Sequence, residues 1–89
     1  MPKIEIYTKS YCPHCRAAKQ TLGRMGIAYR EIEVSDDATL FNEMKTRSQR
    51  RTVPQVFVGD VHVGGNDDLQ RAIRNGQFEK ILESQTNAV

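Results

Sequence analysis

The chain has 89 residues, enough for one domain over 1–89 with a modest hydrophobic core. Its two cysteines exclude the dense disulfide framework of small secreted proteins, and 13 basic against 11 acidic residues leave a net charge of +2, too small to indicate nucleic-acid binding. No apolar segment has the length of a membrane span or the pattern of a signal peptide, so we expect a cytoplasmic protein.

The first segments predict a strand followed by a helix. Apolar and charged residues alternate over 3–6, which is the period of a short strand. Pro13 suits the first turn of a helix, where a missing N–H removes no hydrogen bond. Ala18, Leu22 and Met25 then fall at i, i+4 and i+7, so they predict one buried helical face.

The next segments repeat this pattern. A second strand is predicted over 28–34, with Ile32 and Val34 on one face. Residues 35–37 carry the side chains that begin helices. The apolar face of the helix that follows consists of Leu40, Phe41 and Met44.

The second half of the chain predicts a hairpin and a third helix. Strands over 56–58 and 61–63 flank a two-residue turn in which Gly59 supplies the positive φ. Two glycines then interrupt the strand pattern, and the third helix begins at 66–68. A short amphipathic turn follows, and residues 84–89 are expected to fray.

The predicted order of elements is therefore β-α-β-α-β-β-α. A β-α-β unit gives a parallel pair of strands, and the hairpin adds an antiparallel pair. We predict an α/β protein with a four-stranded mixed β-sheet flanked by helices on both faces.

Two cysteines at the first strand-to-helix junction carry the strongest chemical signal. Free N–H groups at a helix start stabilise a thiolate, so Cys12 is expected to attack a disulfide. Cys15, one turn inside and better shielded, is expected to resolve the mixed disulfide that results. The alternatives are an inert structural pair and a zinc site with His14 and His62. Because a second pair of zinc ligands is missing, we expect no metal.

Five further features lie outside the cysteine motif. Pro54 stands at a strand entrance, either after a cis bond or simply at the start of an edge strand. Residues 66–68 offer a helix start that binds a small anion or is capped by its own side chains. Tyr11 shapes a pocket or covers the helix start, and His62 is expected to face solvent. The basic cluster consists of Lys45, Arg47, Arg50 and Arg51. It is either a solvated helix end or part of an anion site.

Three motifs in this order resemble the dithiol glutaredoxins (class I, CPxC type), a branch of the thioredoxin fold. The motifs are CPHC at 12–15, TVP at 52–54 and GGNDD at 64–68. The resemblance covers residues 3 to about 83. His14 stands where the family most often has tyrosine, and Asn66 where it often has cysteine or another small polar residue.

This resemblance implies a glutathione-dependent thiol–disulfide oxidoreductase that reduces protein disulfides and protein–glutathione mixed disulfides. Glutathione is then a co-substrate, and no cofactor is bound permanently. The resemblance implies these glutathione-binding residues: Lys9, His14, Thr52, Val53, Pro54, Gly65, Asn66 and Asp67. Lys9 is expected to bind the glycine carboxylate, and which arginine assists is left open. The resemblance further implies ribonucleotide reductase as a client; we expect a monomer with no nucleic-acid or membrane partner.

Two other functions compete with this interpretation. A thioredoxin-like reductant fed by a flavoprotein reductase typically has Gly-Pro between its cysteines and lacks the 64–68 motif. An iron–sulfur carrier that bridges two chains usually has glycine or serine after its first cysteine, where this chain has Pro13.

Overall fold

A computed structural model describes residues 2–86 of the chain. Its elements are β1 (Ile4–Thr8), α1 (Pro13–Arg24), β2 (Arg30–Glu33), α2 (Ala38–Ser48), β3 (Gln55–Val58), β4 (Val61–Gly64), α3 (Asn66–Arg74) and α4 (Gln77–Thr86). The strand order is β2-β1-β3-β4. The β1–β2 pair is parallel and the other two pairs are antiparallel, so the predicted mixed sheet is confirmed.

β1 lies at the centre of the sheet, and both of its faces are buried. The alternating pattern predicts a charged face, yet Glu5 is only 7% exposed. Arg47 Nη1 donates to Glu5 Oε1 at 3.1 Å and to Tyr7 Oη at 2.8 Å. A buried carboxylate requires such a partner, so Arg47 of the basic cluster, whose side chain is 28% exposed, pairs with the central strand.

Each face of the sheet carries its own hydrophobic cluster. The cluster beneath α1, α3 and α4 consists of Ile4, Ile6, Ala18, Leu22, Val56, Val58, Leu69, Ala72 and Phe78. The cluster beneath α2 consists of Tyr7, Ile32, Val34, Met44 and Phe57. Helices therefore cover both faces, as predicted. Met25, predicted to be buried, is 44% exposed because α1 ends before it and the chain turns away at Gly26, whose φ is +72°.

The element boundaries follow local signals except at the C-terminal end. Asp37 caps α2 by accepting the N–H of Leu40 at 3.0 Å, and Gly59 adopts the predicted positive φ of 58° in the hairpin turn. The predicted short turn and frayed tail are wrong up to residue 86, because α4 runs from Gln77 to Thr86. Its Phe78 is 1% exposed and anchors the helix to the core. Residues 87–89 of the predicted tail lie outside the described residues. Within 2–86, no helix is both long enough and apolar enough to cross a bilayer.

Candidate active site

Cys12 is the N-cap residue of α1, and Pro13 follows it at the first helical position. The backbone N–H of Cys15 donates to Cys12 Sγ at 3.2 Å. The sulfur thus replaces the side-chain oxygen that usually caps a helix, and it lies where the free N–H groups and the helix dipole favour negative charge. The local geometry on which the predicted nucleophile depends is therefore present.

Cys15 occupies a very different environment one turn further along α1. Its side chain is 2% exposed, and both thiols are free. Burial raises the pKa of the Cys15 thiol to about 12, and the hydrogen bond with Cys12 acts in the same direction. Cys15 consequently keeps its proton at neutral pH, which suits a thiol that acts only in a second step.

A cleft of about 230 Å³ lies beside Cys12. Its walls are formed by His14, Arg50, Thr52, Val53, Pro54, Gly65, Asn66, Asp67 and Asp68. The Cys12 Sγ is 3.9 Å from the carbonyl oxygen of Val53, which joins the cysteine pair to this cleft. The Val53–Pro54 bond is cis. All the predicted glutathione-binding residues except Lys9 line the cleft.

The start of α3 forms one end of the cleft. Asp68 Oδ2 accepts the N–H of Gly65 at 3.0 Å and the Arg50 guanidinium at 2.7 Å. The hydrogen bond from Arg50 is the main reason that the pKa of the Asp68 carboxyl lies below its ordinary value. At Gly64, where φ is +122°, a Cβ atom would collide with this carboxylate. The N–H groups of the first helical residues have no acceptor within α3, and two of those residues, Asn66 and Asp67, line the cleft.

The family model described as Glutaredoxin matches residues 4–63. The chain belongs to the glutaredoxin family. It is similar to glutaredoxin 3 of Escherichia coli, with 40% identity over 83 residues that cover 93% of this chain and 100% of the relative. A thiol–disulfide oxidoreductase function follows from the family together with its CxxC pair.

Solved structures of the family share its thioredoxin fold with this chain. The solution structure of glutaredoxin from Brucella melitensis has a TM-score of 0.82 and 42% identity, covering 100% of this chain and 95% of that one. A crystal structure of a buckwheat glutaredoxin–glutathione complex has a TM-score of 0.83 and 25% identity, covering 99% of this chain and 83% of that one. The predicted fold class and family are therefore confirmed.

In this glutaredoxin, the basic cluster separates into residues with different surroundings. Arg47 is bound to Glu5 and Tyr7 of β1, whereas Arg50 lines the cleft and is paired with Asp68. Lys45 Nζ lies 4.9 Å from the centre of the Phe41 ring. The sequence marks the cluster but does not set Arg50 apart, since nothing local distinguishes it from its neighbours. The left-handed residue Gln49, which ends α2 with φ +58°, is where the chain turns toward the cleft.

Lys9 lies apart from the cleft. Its Nζ is 4.7 Å from the centre of the Phe41 ring, and the residue lines a second cavity of about 310 Å³ that Cys12 and Cys15 also border. The binding of the glycine carboxylate by Lys9 stays a prediction. Tyr11 lies next to the nucleophile with φ +57° and is 98% exposed, so its side chain does not cover the helix start.

The prediction that His62 faces solvent is wrong. Its Nε2 lies 2.7 Å from Gln55 Oε1, and its ring centre lies 4.9 Å from that of Phe57. Burial is the main reason that the pKa of His62 lies below its ordinary value, and the Arg50 charge adds to this effect. The apolar neighbours Val61 and Val63 gave no sign of this, because they are half-buried like His62 and the strand shows no alternation of buried and exposed residues there.

Proposed function

We propose that this glutaredoxin reduces protein disulfides and protein–glutathione mixed disulfides at the expense of glutathione. The observation that carries the proposal is the charge pattern of the cleft beside Cys12. The start of α3 with its free N–H groups, the basic residue Arg50 and the acidic residue Asp67 line one small space. A peptide with two carboxylates and one ammonium group complements this pattern, and glutathione is such a peptide. The related buckwheat protein was crystallised with glutathione.

Each part of glutathione has a matching group in the cleft. The N–H groups of Asn66 and Asp67 accommodate the γ-glutamyl carboxylate, and the Asp67 side chain accommodates the ammonium group. The backbone of Val53 pairs with the cysteinyl unit in the manner of an added strand. His14, Thr52, Pro54 and Gly65 complete the walls. Arg50 and Lys9 are the candidates for the glycine carboxylate.

Cys12 alone removes glutathione from a glutathionylated protein. Its thiolate attacks the glutathione sulfur, the mixed disulfide breaks, and the client leaves as a thiolate that takes up a proton. A second glutathione thiolate then attacks the Cys12–glutathione disulfide. This step releases glutathione disulfide and regenerates the Cys12 thiolate, so electrons and protons balance.

Reduction of a protein disulfide also requires Cys15. The Cys12 thiolate attacks one sulfur of the client disulfide, and the other sulfur leaves as a thiolate that takes up a proton. Cys15 then gives up its proton and attacks Cys12 Sγ. The client leaves reduced, and a Cys12–Cys15 disulfide remains. Two glutathione molecules reopen that disulfide and become glutathione disulfide. Glutathione is thus a co-substrate, and the cycle takes place in a reducing cytoplasm; ribonucleotide reductase stays a predicted client.

The proposal is tested by turnover of a small glutathione mixed disulfide with glutathione, glutathione reductase and NADPH. Wild-type protein is expected to turn over. Cys12→Ser should abolish activity, because it removes the nucleophile. Cys15→Ser is the matched control and should retain activity with this substrate while losing reduction of a protein disulfide. Absence of turnover in the wild type, combined with reduction by a thioredoxin reductase, would transfer the function to a thioredoxin-like reductant.

A further inference from the structure

Gln55, the first residue of β3, has a fully buried side chain that connects the cleft to the hairpin. Its amide Nε2 donates to the carbonyl oxygen of Thr52 at 3.0 Å and approaches Thr52 Oγ1 at 3.3 Å. On its other side, Gln55 Oε1 lies 2.7 Å from His62 Nε2. The side chain does not line the cleft itself, whereas Thr52 does.

The chemistry of the three partners fixes the orientation of this amide. The carbonyl oxygen of Thr52 only accepts hydrogen bonds, so the amide NH₂ of Gln55 must face it. The amide oxygen then faces His62, and His62 must carry a proton on Nε2 in order to donate. The ring of His62 is held in turn against Phe57, with the two planes inclined by 31°. The chain of contacts therefore runs from the core through His62 and Gln55 to the cleft.

We infer that Gln55 is a positioning residue for the glutathione cleft and that His62 holds its amide in place. Thr52 and Val53 belong to the loop between α2 and β3, where no strand pairing fixes the backbone. Any movement of Thr52 would leave a buried amide donor without its acceptor, which is costly in a low-dielectric interior. The same contacts thereby hold the Val53 carbonyl beside Cys12. This inference rests on the proposed function for its effect on turnover.

Gln55→Met tests the inference because it keeps the length of the side chain and removes all of its hydrogen bonds. Losing a buried hydrogen-bond network is expected to raise the KM for a small glutathione mixed disulfide about five- to tenfold. The kcat should stay within about twofold, and so should the rate at which iodoacetamide alkylates Cys12, because the variant leaves in place the Cys15 N–H that donates to Cys12 Sγ. A fall in kcat with unchanged KM would overturn the inference.

His62 provides a matched pair of variants. His62→Gln retains an N–H donor for Gln55 Oε1 and should keep the KM within about twofold of the wild type, whereas His62→Leu should raise it about threefold or more. The double variant with Gln55→Met should be no worse than Gln55→Met alone, since both residues act through one network. A normal KM in His62→Leu, or equal effects of the two His62 variants, would contradict the role of the imidazole donor.

Backbone ¹⁵N relaxation decides the inference independently of glutathione. In Gln55→Met and in His62→Leu, the order parameters of the Thr52 and Val53 amides should fall by about 0.1 or more while those of β1 keep their wild-type values. Unchanged order parameters in the loop would overturn the inference, and so would a uniform fall over the whole sheet. If the wild type fails to turn over glutathione substrates, the proposed function fails, and the relaxation result still decides whether Gln55 positions the loop.

Discussion

The two parts of the active site are assembled in different ways. The cysteine turn, residues 11–15, takes its chemistry from neighbours in sequence. At one helix start, Cys12 is the N-cap that accepts the N–H of Cys15, and Cys15 is buried one turn further along. The cleft instead combines the start of α1, the loop before β3 and the start of α3. The difference teaches that reactivity and substrate affinity are separable here. A change in the cleft should alter the KM and leave the reactivity of the two thiols unchanged. A change in the cysteine turn should alter thiol reactivity and leave the KM unchanged.

The largest expected effect lies within the cysteine turn. With a pKa of about 12, only about 10⁻⁴ of Cys15 is thiolate near pH 8, and its buried side chain is shielded as well. Iodoacetamide at about pH 8 should therefore modify Cys12 at least about a hundredfold faster than Cys15. Because burial disfavours the thiolate, Cys15 should become reactive only as the pH rises toward that value.

Mass spectrometry of the two labelled cysteines measures this ratio. Protein unfolded in urea provides the control, since both thiols then have ordinary exposure and should react at similar rates. Equal labelling of Cys12 and Cys15 in the folded protein would show that the contrast between them does not exist, and it would remove the basis for their separate roles.

The next largest effect is expected in the cleft. Asp67→Ala removes the carboxylate proposed to bind the ammonium group of glutathione, and the loss of a charged hydrogen bond should raise the KM about tenfold. The rate of Cys12 alkylation should not change. Asp60→Ala is a matched control because Asp60 is exposed in the hairpin turn and lies outside the cleft. Equal effects of the two variants would reduce the role of Asp67 to its contribution to net charge.

The contrast between local and assembled structure also explains what sequence analysis could predict. The cap at Cys12, the turn at Gly59 and the helix start at Asp37 depend on residues close in sequence, and all three are confirmed. The burial of Glu5 was missed because its partner Arg47 lies 42 positions away along the chain. The full length of α4 was missed because its stability comes from the packing of residues such as Phe78 against the sheet.

The cleft was predictable only through the family resemblance. Nothing in the residues themselves places the TVP motif at 52–54 beside the helix start at 66–68, because folding alone brings them together. The resemblance also could not distinguish among the basic residues. The fold pairs Arg47 with Glu5 of β1 and places Arg50 at the cleft, although the two are only three positions apart.

The smallest expected effect is the change in KM when one of two cations near Cys12 is removed. Arg50→Gln and Lys9→Gln each remove one positive charge, but only Arg50 lines the cleft. Arg50 is 46% exposed and already shares its charge with Asp68, so its loss should raise the KM for glutathione by only about threefold. Lys9→Gln should change the KM by less than about twofold, because its Nζ lies against the Phe41 ring outside the cleft and water screens its charge. Steady-state kinetics at low and high salt would compare them. A larger effect for Lys9→Gln would show that its side chain leaves the Phe41 ring to bind the glycine carboxylate, and the cleft would then extend past Cys12 toward the second cavity.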